Sequence, residues 1–184
     1  AVDGHFQALC RTIIYQQLAG TAAKAIFTRF LALFPPPPTW RGAADAYFPE
    51  PARLLQASLE QLRAIGLSER KASYLQDLAA KVVDGTLELH RFHELPDEVI
   101  AQQLLAVRGI GQWTVDMHLM FQLDRKDVLP VGDLGVRKGV MRHFGLRALP
   151  TPDEMRALTE RWRPYRSLGS WLMWAAADTD AGTV

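Results

Sequence analysis

The run Leu104-Leu105-Ala106-Val107-Arg108-Gly109-Ile110-Gly111-Gln112-Trp113-Thr114-Val115-Asp116 constrains this chain more than any other stretch. Apolar residues at Ile100, Leu104 and Val107 keep helical spacing up to Gly109, and helical residues resume directly after Gly111. Two helices must therefore be joined by a very tight turn. Glycine suits such a turn because it accepts positive φ and, lacking a side chain, lets the backbone approach a bulky partner. The free N–H groups that open the second helix make the turn an anion site suited to a phosphate. Gly-x-Gly between helices is common, so alone it establishes only a local turn.

The rest of the chain reads as helix too. Leu55, Leu59 and Leu62, then Leu75, Leu78 and Val82, then Met155, Leu158 and Trp162 recur at helical spacing. No segment sustains a period-2 alternation, although Asp127 to Val131 could be a short extended piece. Helices break at Pro35 to Pro38, Gly66, Pro96, Pro130 and Pro150, and Thr151-Pro152-Asp153-Glu154 reads as a helix start. With 184 residues, 48% of them hydrophobic, the chain can bury most of its apolar surface as one domain or two packed lobes. No stretch approaches the roughly 18 apolar residues of a membrane span and no basic-then-apolar leader opens the sequence, so an intracellular protein is expected. A single cysteine, Cys10, excludes an internal disulfide and a four-cysteine iron–sulfur cluster, and reads as a small buried residue. The net charge of +1 excludes a protein that coats nucleic acid by bulk charge. Basic residues nevertheless gather late, at Arg137, Lys138, Arg142, Arg147, Arg156, Arg161, Arg163 and Arg166, where they form either a phosphate-facing surface or solvated helix faces.

Several motifs occur together and in order. After the Gly109-Ile110-Gly111 turn comes Asp127-Val128-Leu129-Pro130-Val131-Gly132-Asp133-Leu134-Gly135-Val136-Arg137. Before it stand Ile13-Ile14-Tyr15-Gln16-Gln17-Leu18 and Gly66-Leu67-Ser68-Glu69-Arg70-Lys71-Ala72; after it, Trp162-Arg163-Pro164-Tyr165-Arg166-Ser167 with Trp171 and Trp174. This series resembles the helix-hairpin-helix DNA glycosylase superfamily with a glycine/proline-rich loop and a catalytic aspartate, in its 3-methyladenine DNA glycosylase II branch.

The resemblance implies an all-α fold of two helical lobes, with a helix-hairpin-helix DNA-binding motif and a DNA cleft between the lobes. One glycosylase unit would span 1–184, with lobe A at 30–133, including the hairpin at 104–121, and lobe B at 1–29 plus 134–184. Asp133 falls on the catalytic position. By residue type alone a helix N-cap for the run beginning at Leu134 is the better reading, and both roles can hold together. The base pocket would be Trp113, Trp174, Met117 and Leu134, while Trp162 and Trp171 read as core. Met117 stands where family members often carry tyrosine, which makes the pocket less polar. Gly109, Ile110, Gly111 and Thr114 would hold the DNA backbone, and Arg70 and Lys71 would either touch it or lie on an exposed face. Gln17, or Leu18 in the next register, would fill the gap left by the extruded base. No cofactor is implied for catalysis, but a structural Na⁺, K⁺ or Mg²⁺-like cation would sit on the backbone carbonyls of Leu105, Val107 and Ile110. The five histidines show no zinc spacing.

Lyase members carry an attacking lysine where this chain has Trp113, so the resemblance implies a monofunctional enzyme. One carboxylate suffices when the leaving base is already cationic, because ring alkylation weakens the bond to the sugar without a general acid. An ionised Asp133 would stabilise the oxocarbenium character that develops on the sugar and orient or deprotonate water. The expected reaction is hydrolysis of alkylated bases such as 3-methyladenine and 7-methylguanine flipped from duplex DNA, the start of base excision repair. The alternatives are a superfamily glycosylase for other damaged or mismatched bases, and a hairpin module that binds DNA without catalysis. The expected partner is damaged double-stranded DNA, met by a monomer with no membrane attachment, in a bacterial cytoplasm or, if eukaryotic, a nucleus.

Overall fold

Helix starts are written into single side chains. The Ser58 hydroxyl accepts from the Gln61 amide while the Gln61 side chain accepts from Ser58, and Thr151 and Glu154 make the same reciprocal box with Pro152 at the first helical position. Ser68 accepts from the Lys71 amide, and Asp133 from the Val136 amide. Each cap stabilises its helix by about 1 kcal/mol. The structure, a computed structural model, describes residues 2–178, and among these it has ten α-helices and no strand, so the all-α expectation holds. They are α1 (Val2–Tyr15), α2 (Gly20–Leu33), α3 (Pro51–Leu55), α4 (Leu59–Ala64), α5 (Glu69–Val83), α6 (Asp97–Leu105), α7 (Gln112–Phe121), α8 (Leu134–His143), α9 (Pro152–Thr159) and α10 (Arg166–Asp178).

Two expectations change. The Leu55, Leu59, Leu62 stripe is not one helix: Ser58 starts a new one, so Leu54 and Leu62 are buried whereas Leu55 and Leu59 are exposed. The residues from Asp127 to Val131 form an irregular loop with no strand. No helix among the described residues is long and apolar enough to cross a membrane.

The chain divides into two compact units, Ala1–Ile110 and Gly111–Val184. This boundary differs from the expected lobes, 30–133 against 1–29 plus 134–184. The reason lies in α1, whose buried Phe6, Leu9, Ile13 and Ile14 belong to a helix packed on α2 and α5 within the first unit. Cys10 is fully buried there, and burial pushes its thiol pKa well up, consistent with a small core residue.

In the second unit α8 and α10 are in intimate contact around buried Val136, Val140, Met155 and Met173. Gly139 permits it, because a Cβ there would collide with the Met173 carbonyl. Trp162 packs on this core as expected, but Trp171 is 57% exposed, a correction to its reading as core. The α10 helix leaves it facing outward beside Leu172, which is exposed too.

Several late arginines have structural partners. Arg142 donates to the carbonyls of Ala176 and Ala177 near the end of α10, and Arg137 to Pro150. Arg166 grips both oxygens of Asp127, and Arg163 joins them. Ser167 completes the clamp on this loop, donating to the Arg125 carbonyl and accepting from the Val128 amide.

Candidate active site

Asp133 caps α8, and that role alone fixes the direction of its carboxylate. Oδ1 accepts from the Val136 amide at 2.9 Å, as an N-cap should. The same Oδ1 accepts from Trp174 Nε1 on α10 at 2.7 Å, and Oδ2 accepts from Trp113 Nε1 on α7 at 2.7 Å. Three helices thus meet at one carboxylate. Burial pushes the Asp133 pKa up, but the Val136 amide, the Trp113 and Trp174 indoles and the Gly135 amide outweigh it and hold the group below its ordinary value. The positive end of α8 acts in the same direction. At neutral pH the group is an anion and accepts hydrogen bonds without a proton to give.

Gly135 makes room for this arrangement. A Cβ there would lie 2.6 Å from Trp174 Cδ1, 3.0 Å from its Nε1 and 3.2 Å from Asp133 Oδ1. The two bonds differ in surroundings: Trp174 is partly buried, whereas Trp113 is 49% exposed. Oδ2 is therefore the side of the carboxylate nearer to solvent. Leu134, next to Asp133, is exposed, and Met117 sits half-buried one turn after Trp113 on α7.

Phe121 was not singled out in the sequence. It is 57% exposed and stacks on Trp174, with ring centroids 5.9 Å apart and planes 25° from parallel. The i, i+4, i+8 series Trp113, Met117, Phe121 on one helix was the available signal. Trp113, Phe121 and Leu134 thus leave large apolar side chains exposed around an ionised carboxylate, where aromatic π faces attract a cation.

Asp116, a second carboxylate on α7, differs in character. It is buried on α7, accepts from Gln112 Nε2 at 2.8 Å, and burial raises its pKa to about 6. Asp127 is held by arginines and has no share in the Asp133 cluster.

The hairpin is shaped from beneath. Gly109 adopts φ +84° and lies against the Tyr74 ring, which any Cβ would strike. The Asp77 carboxylate accepts from the Arg108 amide at 2.8 Å, and Ile110 donates to the Val107 carbonyl at 3.2 Å. Gly111 caps α7 and is exposed, so the amides from Gly111 to Thr114 have no acceptor within their own helix. Thr114 contributes only its backbone to such a site, because its side chain is buried. Among the described residues no group of three or more His, Cys, Asp or Glu could hold a metal.

The other expected DNA contact is the turn after α1. Gln17 is exposed with φ +54° and Leu18 is exposed after it. Lys71, expected to face DNA or solvent, instead points inward and donates to the carbonyls of Ile14 and Gln16.

Comparison with known proteins identifies the kin of this geometry. The family model described as HhH-GPD superfamily base excision DNA repair protein matches residues 10–164. The chain is 33% identical over 173 residues to YfjP of Bacillus subtilis, covering 94% of this chain and 59% of that protein. It therefore spans less than two thirds of that relative. It is 32% identical over 170 residues to DNA-3-methyladenine glycosylase 1 of Schizosaccharomyces pombe, covering 92% of this chain and 71% of that protein. Among solved structures, a DNA-3-methyladenine glycosidase from Bacillus halodurans superposes with a TM-score of 0.83 at 33% identity, over 96% of this chain and 77% of the other. The S. pombe 3-methyladenine DNA glycosylase in complex with abasic DNA gives a TM-score of 0.75 at 30% identity, over 98% and 84%.

Proposed function

Because the chain belongs to the HhH-GPD superfamily of base excision DNA repair proteins, we propose that it is a monofunctional glycosylase that hydrolyses alkylated bases from duplex DNA. The relatives named as 3-methyladenine glycosylases support this substrate class. The observation that carries the reading is the state of Asp133, an anion held by two indole N–H groups and a helix terminus beside exposed aromatic rings. An ionised carboxylate cannot protonate a leaving base. It serves a base that needs no proton, one already cationic through ring alkylation.

In the proposed step the glycosidic bond breaks and its electron pair passes to the base nitrogen, neutralising the base. The sugar carbon develops positive charge that Asp133 stabilises. A water oxygen then bonds to that carbon, and its proton passes to Asp133 or to solvent. Base and abasic sugar leave without a covalent bond to the protein, in agreement with Trp113 at the position of the lyase lysine. Trp113, Trp174 and Phe121, with Met117 and Leu134 beside them, receive the extruded base. The amides of Gly109, Ile110, Gly111 and Thr114 hold phosphate, and Gln17 or Leu18 occupies the vacated stack. A Na⁺, K⁺ or Mg²⁺-like ion on the carbonyls of Leu105, Val107 and Ile110 belongs to the same reading. The Val107 carbonyl fits it, because the bond from Ile110 uses one of its two lone pairs. The protein is proposed to act as a monomer on damaged double-stranded DNA.

The test is base release from methylated duplex DNA by the parent and by Asp133→Asn, with and without later alkali. The parent should free methylated purines and leave strands that break only after alkali. The variant should bind DNA with release slowed about a thousandfold. Strand breakage without alkali would overturn the monofunctional assignment, full rate in the variant would overturn the role of Asp133, and binding without release by the parent would leave a DNA-binding module.

A further inference from the structure

Resting on that reading, we propose that Lys71 and Gln16 are positioning residues for base extrusion: together they set the Gln17-Leu18 turn and tie it to the DNA-binding hairpin. The turn follows α1, whose last carbonyls lack intrahelical partners and carry the negative end of the helix dipole. Lys71 Nζ donates to two carbonyls there, to Ile14 at 2.7 Å and to Gln16 at 2.6 Å. A charged hydrogen bond of this kind is stronger than a neutral one. The ammonium comes from α5, more than 50 residues away in sequence, and it is partly buried.

Directly beyond these carbonyls the chain turns left-handed, with Gln17 at φ +54°. A non-glycine residue holds such a conformation only where its surroundings impose it. Besides Lys71, Leu18 N–H donates to the Tyr15 carbonyl at 3.3 Å, and the Gln16 side chain crosses to the hairpin, where Nε2 donates to the Gly109 carbonyl at 2.9 Å. Gly109 is the hairpin glycine with positive φ, seated on Tyr74 of α5. The turn that would enter the base stack and the turn that would grip phosphate are therefore joined by one side chain, and α5 underlies both. Lys71 and Gln16 need touch neither the reacting sugar nor the base.

The signature of this role is selective. Lys71→Met and Gln16→Met keep side-chain length and remove the donors. Each should be assayed for single-turnover release of 7-methylguanine from a duplex in which the lesion is paired with cytosine, and from one in which it lies opposite an abasic-site analogue. Extruding the unpaired lesion is easier, so the variants should lose about tenfold or more on the paired duplex and less than about threefold on the unpaired one. Thermal unfolding identifies a variant that fails to fold, and Gln16→Met, which removes only a tie between two turns, then carries the test. Equal losses on both duplexes, or no loss on either, would overturn the proposal while the glycosylase reading stands. A parent inactive on both duplexes would overturn the glycosylase reading, and this inference with it.

Discussion

Replacing Gly135 with alanine should impair the Asp133 cluster while leaving the carboxylate and its donors chemically unchanged. The added methyl carbon would lie 2.6 Å from Trp174 Cδ1, and carbon atoms pack at about 3.5 Å or more. The indole must then retreat by about 0.9 Å. Moved straight back from the new methyl by that amount, Trp174 Nε1 would stand roughly 3.2–3.4 Å from Asp133 Oδ1 in place of 2.7 Å, which stretches and weakens the bond. A charge-assisted bond contributes about 1.5–3 kcal/mol, of which the stretch forfeits about half, and overpacking costs about 1–3 kcal/mol, against at most about 1 kcal/mol gained from the better helix propensity of alanine. Destabilisation of about 1–4 kcal/mol follows. Misplacement of the carboxylate by a fraction of an ångström should slow base release by about 10- to 100-fold. With one of the donors that depress its pKa weakened, the Asp133 pKa rises, so the acid limb of the pH–rate profile should move to higher pH. Single-turnover base release across pH, with chemical denaturation in parallel, measures all three effects. A variant within about threefold of the parent rate, with an unmoved acid limb, would refute the reasoning.

Gly139→Ala should behave differently, because its methyl group would strike the Met173 backbone, which cannot rotate aside; unfolding free energy should fall by about 3 kcal/mol or more, and a stable, fully active variant would contradict the packing described. Asp116 supplies a pH effect. Its folded pKa of about 6 lies above the unfolded value near 3.8, so the stability it contributes is present below the unfolded value and is lost as pH rises through the folded one. Asp116→Asn should therefore gain on the parent by up to about 3 kcal/mol between pH 4 and pH 8, read from denaturation midpoints, and a pH-independent difference would refute the assignment.

Much of this was legible because local chemistry and tertiary packing agree. Thr151-Pro152-Asp153-Glu154 announces a helix start by itself, and the Gly109-Ile110-Gly111 turn needs only its glycines. Asp133 could be read as cap or as catalytic carboxylate, and the structure makes it a cap whose oxygens also gather two indoles. What escaped depends on orientation. Leu55 and Leu59 fit a helical stripe, yet a serine between them restarts the helix and turns both outward. Trp162 and Trp171 share a composition cue, but only the first meets the core. Lys71 sits in a basic pair whose chemistry suggests phosphate, and only folding brings the end of α1 within its reach. Phe121 becomes visible once α10 places Trp174 beside it.

The double duty of Asp133 has an evolutionary corollary. Asparagine caps helices about as well as aspartate, and its single carbonyl can still accept from Val136 and Trp174, leaving only the exposed Trp113 indole facing an amide. On the proposed reading, one base change in a codon, GAC to AAC, yields a descendant that folds, grips DNA and receives a damaged base but does not release it. Such a descendant would shield lesions from repair. Members of this lineage with asparagine at this position would be read first as lesion sensors or decoys, and only then as decaying enzymes.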